Sequence, residues 1–224
     1  TLEQPGREKL AVNLSAFDCT TFVETVLALA RCVESGKISS REFKKNLRSI
    51  RYRNGRINGY TSRLHYFTDW LSNNEKMGFV IDRTKNLGGR PQRKKIDFMT
   101  AHRELYPALK NKTQLAAMTL IEKNLSRKTV HIIDKDRFNT LKTKINHGDI
   151  IAFTTDQAGL DAAHVGFAIR KGKSLRLLHA SQKEGQVVIS KKTLADYLKS
   201  NKTFTGIIIA ESNGSVSKAK LKNV

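Results

Sequence analysis

Ser15-Ala16-Phe17-Asp18-Cys19-Thr20-Thr21-Phe22-Val23-Glu24 is the stretch that decides the fold, because it places a thiol where a helix begins. Ser15 and Asp18 are both suitable N-cap residues, so Cys19 is predicted to lie in or just before the first helical turn. Apolar residues then recur at intervals of three and four, the spacing of a buried helix face. Gly36 is the natural stop. The predicted buried face consists of Phe22, Val23, Val26, Leu27, Ala30 and Val33.

A cysteine at the start of a helix has two chemical advantages. The unpaired backbone N–H groups and the positive end of the helix dipole favour a thiolate, and such settings can lower a cysteine pKa to roughly 3.5–7.5. The same N–H groups can stabilise the oxyanion that forms when a carbonyl is attacked. Cys19 is therefore a candidate nucleophile. The competing interpretation is an ordinary core cysteine, since free cysteines are among the most buried residue types.

The sequence contains two cysteines, Cys19 and Cys32. On one helix they would be about 20 Å apart at roughly 1.5 Å per residue, far beyond the roughly 7 Å between bridged Cα atoms. Both are predicted to be free thiols.

The length of 224 residues and the hydrophobic content of 39% suit one domain with a sizeable core. We predict a single catalytic domain at 1–211, with a helical insertion at about 85–145, and a basic polar tail at 212–224. No apolar run approaches the roughly 20 residues of a membrane span, so no integral membrane segment is predicted. Because the chain begins at Thr1 and not at Met, we expect a removed signal peptide and export to the periplasm or cell envelope.

The charge balance points to an anionic partner. Lys and Arg number 41 against 20 Asp and Glu, which gives a formal net charge of +21. Nucleic acid, lipid headgroups, lipopolysaccharide and acidic cell-wall polymers all fit this charge. Nucleic acid is the less favoured partner, because aromatic residues are only 7% and no strand is rich in the rings that stack on bases. A non-enzymatic basic binding module stays open as an alternative function.

After Asn146 the sequence pattern changes to short strands. Their short connections predict an antiparallel sheet and, with the preceding helices, an α+β fold. His164 opens one strand just after a loop, and His179 lies near the end of the next. If these strands form a hairpin, the two imidazoles lie side by side. One imidazole can then accept the Cys19 proton while the other orients it.

A second unusual stretch runs from Tyr60 to Trp70 and gathers aromatic rings, an arginine, a histidine and a carboxylate. Its spacing predicts a helix with one core stripe and a second face. Planar rings and an arginine suit sugars and carboxylates, so the second face is a candidate substrate wall. The competing interpretation is an amphipathic helix with ordinary surface groups. The core stripe is Tyr60, Leu64, Phe67 and Leu71, and the second face is Arg63, Tyr66 and Trp70.

At these residues the chain resembles the papain-like cysteine peptidases and amidases of the NlpC type, which cut peptidoglycan. The shared features are Asp18-Cys19 at a helix start, the turn and strand at 148–153, and His164-Val165-Gly166. Three longer motifs resemble more narrowly the branch of N-acetylmuramoyl-L-alanine amidases, long described as a domain of unknown function. These motifs are Phe17 to Glu24, Arg63 to Trp70, and Leu178-His179-Ala180-Ser181.

The resemblance implies a papain-like fold and a triad of Cys19 as nucleophile, His164 as general base and then acid, and His179 as orienting partner. It also implies hydrolysis of the bond between N-acetylmuramic acid and L-alanine in small peptidoglycan fragments, including anhydro-muropeptides, with no cofactor or metal. The substrate-binding candidates are Asp18, Tyr60, Arg63, His65, Asp69, Trp70 and Ser181.

Two other chemistries stay open. The wider group more commonly cleaves the bond between D-glutamate and a diamino acid, and the sequence does not choose between the two bonds. The metal alternative is a zinc site formed by Cys19, His164 and His179. It is disfavoured because no short ligand pair such as CxxC or HExxH accompanies these residues.

Overall fold

The computed structural model describes residues 2–3, 6–172 and 174–214. Helices surround an antiparallel sheet, which confirms the predicted α+β class. The described α-helices are α1 (Cys19–Glu34), α2 (Ser40–Arg51), α3 (Phe67–Lys76), α4 (Phe98–Ala101), α5 (Lys112–Arg127), α6 (Phe138–Leu141) and α7 (Leu194–Ser200). The strands are β1 (Val80–Asp82), β2 (Arg90–Gln92), β3 (Val130–Asp134), β4 (Ile150–Thr155), β5 (Ala162–Lys171), β6 (Ser174–Ser181), β7 (Gln186–Ile189) and β8 (Phe204–Ser212). The predicted tail lies, from residue 215 onward, outside the described residues.

Helix α1 begins at Cys19, and Asp18 is its N-cap. The Asp18 carboxylate accepts a hydrogen bond from the Thr21 backbone N–H at 2.7 Å, and the Thr21 hydroxyl accepts one from the Asp18 N–H at 2.9 Å. This reciprocal cap satisfies two backbone donors and typically stabilises a helix by about 1 kcal/mol. It fixes Cys19 as the first helical residue, and of the two predicted caps the helix uses Asp18.

The strands form one sheet in the order β2-β3-β8-β4-β5-β6-β7, with β1 also paired to β8. Each of these pairings is antiparallel. The predicted hairpin is present, because β5 pairs with β6 from Phe167 and Leu178 to Lys171 and Ser174. The regular pairing ends at Phe167, while β5 and β6 stay close at Gly166, the next residue.

The sheet has a packed core on each face because its strands alternate. Ile150 and Ala152 of β4 face the first core, where α1, α2 and α3 contribute residues such as Phe22, Leu47 and Trp70. Ile151 and Phe153 face the second core, which α6 and α7 cover. Helix α1 therefore packs on the antiparallel sheet as expected.

The segment at 85–145, predicted as a helical insertion, contains strands as well as helices. Strands β2 and β3 lie within it and extend the main sheet. The stretch from Phe98 to Lys110 forms α4 and two 3₁₀ turns, at Arg103–Leu105 and Pro107–Lys110. Pro107 cannot continue the helix because it has no backbone N–H to donate.

Two further helix predictions are corrected. Val33 was expected to be buried, but it is 68% exposed. The stretch from Tyr60 to Leu71 is not one helix, since Tyr60–Ser62 is a 3₁₀ turn and α3 starts only at Phe67. Between them the chain is extended and pairs with the end of α2, where the Leu64 N–H donates to the Arg51 carbonyl at 3.0 Å.

Cys19 and Cys32 are both free thiols, as predicted. Within the part of the chain that the structure describes, no helix combines the length and the apolar character needed to cross a membrane.

Candidate active site

Two histidines lie in contact at the open end of the β5–β6 hairpin. Nε2 of His164 and Nδ1 of His179 are 2.8 Å apart, and the two rings are nearly perpendicular, at 89°. The contact requires β5 and β6 to be unusually close at Gly166, where a Cβ atom would lie 2.6 Å from the Leu178 carbonyl oxygen and 2.9 Å from the His179 Cβ. The hairpin thus brings together the two imidazoles that the sequence paired.

The histidine pair is neutral at physiological pH. Burial lowers the pKa of His164 to about 4, and the neighbouring His179 acts in the same direction. Burial also lowers the pKa of His179. One neutral imidazole must donate and the other accept. If Nε2 of His164 donates to Nδ1 of His179, then Nδ1 of His164 keeps its lone pair. That tautomer can accept a proton from a thiol.

Cys19 is held as a thiol in the resting protein. Burial raises the pKa of the Cys19 thiol, and the adjacent Asp18 carboxylate raises it further. Hydrogen bonds from the Val165 backbone and from Thr20 oppose this effect. The prediction of a lowered pKa is therefore wrong for this cysteine, because burial outweighs the favourable end of the helix. Cys19 needs a neighbouring base before it can attack.

Cys19 and His164 line the same cavity, which has a volume of about 470 Å³. Ala163 of β5 and Ala180 of β6 form its walls near the histidine, and the segment before α1 covers another side. His179 is only 4% exposed and lies behind His164. The arrangement presents one thiol and one imidazole to a ligand, with the second imidazole as support.

A smaller cavity of about 220 Å³ also includes Cys19. Three predicted substrate-binding residues line it, namely Asp18, Arg63 and His65. Tyr60 lies behind them at 7% exposure, with its ring 4.5 Å from the His65 ring. Arg63 is ion-paired to Glu3 of the leading segment at 2.9 Å. These four residues therefore lie beside the thiol or directly support residues that do.

The three other substrate-binding candidates lie elsewhere. Trp70 is 1% exposed and stacks on Phe67 in the first core, because α3 turns it toward the sheet. Asp69 is buried and forms an ion pair with Arg53 at 2.6 Å. The Ser181 hydroxyl accepts a hydrogen bond from the Glu184 N–H in the β6–β7 turn, and Ser181 lines neither cavity. The prediction of Trp70 as a substrate wall is wrong.

A third cavity, of about 250 Å³, lies between the insertion and the sheet. It is lined by Thr68, Lys94 and Asp161 among others and includes none of the candidate catalytic residues. Within the described residues, no three His, Cys, Asp or Glu side chains are grouped to hold a metal ion.

Residues 1–207 match the family described as AmiA-like, N-acetylmuramoyl-L-alanine amidase-like. The chain belongs to this family. An N-acetylmuramoyl-L-alanine amidase from Bacteroides uniformis is 41% identical, with a TM-score of 0.88 over 95% of this chain and 91% of the other. A Bacteroides fragilis protein provisionally described as a xylanase is 44% identical, with a TM-score of 0.89 over 94% and 93%. A Legionella pneumophila protein is 26% identical, with a TM-score of 0.64 over 88% of this chain and 75% of the other. No protein of curated function matches the chain.

Membership in the amidase-like family supports a hydrolase that acts on peptidoglycan. Two further residues of the candidate site could not be identified from the sequence. Arg51 lines both cavities and is locked by Glu24 at 2.6 Å, with both side chains almost fully buried. The Tyr197 ring lies 5.3 Å from the His179 ring and 6.1 Å from the His164 ring.

These two residues were not apparent for different reasons. Arg51 is the last residue of a basic amphipathic helix, where the sequence gives no sign that one arginine is buried. Tyr197 follows the apolar pattern of α7, where an inward-facing ring is typical of an ordinary core residue. Only the folded chain brings α2 and α7 to the cysteine and the histidines.

Proposed function

We propose that this chain is a cysteine amidase that hydrolyses the bond between N-acetylmuramic acid and L-alanine in peptidoglycan fragments. The observation that carries the proposal is that Cys19 and His164 line one cavity while His164 contacts His179 at 2.8 Å. This arrangement supports a nucleophile, a base and a group that orients the base. We assign these roles to Cys19, His164 and His179.

The first step transfers the Cys19 proton to Nδ1 of His164 as sulfur attacks the amide carbonyl. A neutral imidazole suits this step because its lone pair is available, while the buried thiol would otherwise stay protonated. The hydrogen bond to His179 stabilises the imidazolium that forms. The C–N bond then breaks, His164 donates the proton to the amine of L-alanine, and a muramoyl thioester remains on Cys19.

The oxyanion of the tetrahedral intermediate is stabilised at the start of α1. The Thr21 N–H is already bonded to the Asp18 cap, and the Phe22 N–H donates to the Asp18 carbonyl at 3.0 Å. The other N–H groups at this helix end are those of Cys19 and Thr20, and the Thr20 N–H also bonds the Cys19 sulfur in the resting protein. One such donor is typically worth about 3–4 kcal/mol of transition-state stabilisation.

The second step is hydrolysis of the thioester. His164 removes a proton from water, the water oxygen attacks the thioester carbonyl, and the C–S bond breaks to regenerate the Cys19 thiol. General acid–base catalysis by a positioned histidine typically contributes about 10²–10⁴-fold. The thiol, the imidazole pair and the helix N–H groups together provide the nucleophile, the acid–base catalyst and the oxyanion donors for both steps.

Binding of the fragment involves the two cavities that meet at Cys19. His164 lines the larger cavity, so the amine that leaves and the peptide attached to it belong there. The smaller cavity then receives the muramoyl side, where the Arg63 guanidinium offers hydrogen-bond donors to its acyl and hydroxyl oxygens. The Nε2–H of His65 donates to the Tyr60 carbonyl, so His65 offers Nδ1 as an acceptor to a hydroxyl group. We also infer an enzyme of the periplasm or cell envelope, where peptidoglycan fragments are present.

The alternative within the same chemistry is cleavage between D-glutamate and a diamino acid. It uses the same three catalytic residues and differs only in which fragment fills each cavity. The name of the Bacteroides fragilis relative raises xylan hydrolysis, which needs two carboxyl groups across the glycosidic bond. Here the carboxylates near Cys19 are engaged, Asp18 with the helix cap and Glu24 with Arg51. The geometry therefore favours amide chemistry.

The test is to incubate purified muropeptides with the wild-type protein and with Cys19→Ala, and to identify the products by mass spectrometry. The proposal expects release of an intact stem peptide that begins with L-alanine, by the wild type only. Release of an L-alanyl-D-glutamate fragment would assign the endopeptidase bond instead. Absence of cleavage by the wild type would leave the basic binding module as the better account.

A further inference from the structure

Helix α1 carries apolar side chains on its outer side as well as its inner side. Leu29 is 47% exposed and Val33 is 68% exposed, one turn apart, and Ile38 just beyond the helix is 79% exposed. A helix that only covered a core would place polar residues there. The second half of α1 therefore has an apolar face that the fold leaves uncovered.

The edge strand β7 continues this apolar surface. Val187 is 38% exposed and Ile189 is 47% exposed. They pair with Ala180 and Leu178 of β6, which pack into the core beneath α1, so all four side chains lie on the α1 face of the sheet. The exposed side chains on α1 and β7 thus share one face.

The orientation of α1 places its exposed side toward β6 and β7. On the opposite side of the helix, the Arg31 guanidinium lies over the Phe79 ring at 4.2 Å, beside β1. Near the helix start, Phe22 contacts Phe167 of β5 at 5.8 Å. The exposed apolar side of α1 therefore faces the edge of the sheet formed by β7. We name the resulting surface the α1–β7 patch, which consists of Leu29, Val33, Ile38, Val187 and Ile189.

Basic side chains border the α1–β7 patch on both sides. Exposed lysines and arginines follow it along α2, and others flank β7. The acidic residues nearby are Glu34, Glu42 and Glu184, and Glu42 is paired with Lys45 at 3.2 Å. Gly214 lies against Glu34, and the sequence after it, 215–224, contains three lysines and no acidic residue. The exposed basic residues are Lys37, Arg41, Lys44, Lys45, Arg48, Lys183, Lys191 and Lys192.

An apolar face with a basic border is the pattern of a surface that lies on an anionic bilayer, where apolar side chains enter the headgroup boundary and lysines meet phosphates. A second copy of the chain fits less well, because two chains of net charge +21 repel each other. A soluble anionic polymer would use the charges but leave the apolar residues exposed. We propose that the α1–β7 patch docks the protein onto an anionic lipid surface.

Docking by this patch is compatible with an open active site. Cys19 and Val33 are 14 positions apart on α1, which corresponds to roughly 20 Å along the helix axis. The α1 part of the patch therefore lies well away from Cys19, whereas Val187 of β7 is the neighbour of Ala180, which lines the cavity. Catalysis on small soluble fragments does not depend on the patch, so this inference stands or falls separately from the proposed function.

The test is co-sedimentation with lipid vesicles of phosphatidylcholine alone or of phosphatidylcholine with one third phosphatidylglycerol. The wild type is expected to bind the anionic vesicles, and added salt is expected to weaken that binding. The double variant Leu29→Gln/Val33→Gln should bind them at least about tenfold more weakly, since two apolar anchors are lost. The matched control is Leu105→Gln/Leu120→Gln, because both leucines are 59% exposed and lie in the insertion, away from the patch.

Three results would overturn the proposal. One is wild-type protein that does not sediment with anionic vesicles. Another is equal loss of binding in the patch variant and the control variant, or equal retention in both. The third combines two observations: no lipid binding by the wild type, and a molecular mass by analytical ultracentrifugation that differs from the wild-type mass only in the patch variant. That result would make the patch an interface between copies of the chain. Unchanged thermal unfolding in both variants confirms that each is folded.

Discussion

His164 and Cys19 together determine how the site responds to pH. Because burial lowers the pKa of His164 to about 4, the base stays neutral down to that pH. The value of kcat/KM is therefore expected to fall on the acid side near pH 4 and not near the ordinary histidine value of about 6.5. A pH–rate profile measures this. The fluorescence of Trp70, the single tryptophan, checks that the protein stays folded.

An acid limb centred near pH 6.5 in a folded protein would contradict the buried, neutral histidine pair. The same buried setting raises the pKa of the Cys19 thiol, so alkylation of Cys19 should speed up with pH beyond the range of an ordinary thiol.

His179 acts on the substrate only through His164. Replacing His179 with Ala removes the 2.8 Å contact that selects the productive tautomer, so kcat should fall by about 10²-fold with little change in KM. His179→Asn can restore a hydrogen-bond partner for Nε2 of His164 and should recover part of the loss. Steady-state kinetics of the two variants measure this. Wild-type rates in His179→Ala would remove His179 from the triad.

At the scale of elements, the close approach of β5 and β6 is what holds the histidines together. In Gly166→Ala the new Cβ would lie 2.6 Å from the Leu178 carbonyl oxygen, so the strands must separate. We expect a loss of about 1–3 kcal/mol in the free energy of unfolding, as for overpacked sites, together with a large drop in kcat. Denaturant unfolding and steady-state kinetics measure both effects.

Gly185→Ala is the matched control for this hairpin. Gly185 has a φ of +64° in the β6–β7 turn and open space around the Cβ position. Its substitution should cost about 1 kcal/mol of stability through backbone strain while leaving kcat unchanged. If Gly166→Ala kept full activity, the strand spacing would not control the histidine pair.

The position of Trp70 on α3 leads to a prediction that distinguishes a core residue from a substrate-binding residue. Trp70 is 1% exposed between α3 and the sheet, so Trp70→Phe should lower the free energy of unfolding by about 1–3 kcal/mol and leave KM unchanged. Arg63→Gln is the contrasting variant, because Arg63 lines the small cavity beside Cys19 and its loss should raise KM. A raised KM in Trp70→Phe with normal stability would restore Trp70 to the substrate wall.

For the whole molecule, local patterns in the sequence correctly predicted the fold class, the helix that starts at Cys19 and the β5–β6 hairpin. These features depend on residues close in sequence, such as Asp18 and Thr21 in the helix cap. The stretch after Tyr60 could not be predicted in this way. Its Arg63 is ion-paired to Glu3, 60 positions earlier, and such a long-range contact overrides a helical pattern. Arg51 likewise reaches the site through a long-range ion pair with Glu24.

The most direct test of the cysteine mechanism is to find the acyl group on the enzyme. The wild type and Cys19→Ala are mixed with a muramoyl peptide, quenched in acid, and measured by intact-protein mass spectrometry alongside product release. We expect turnover by the wild type, with a muramoyl adduct located at Cys19, and neither turnover nor adduct in Cys19→Ala. Turnover by Cys19→Ala, or an adduct on another residue, would contradict the Cys19 mechanism.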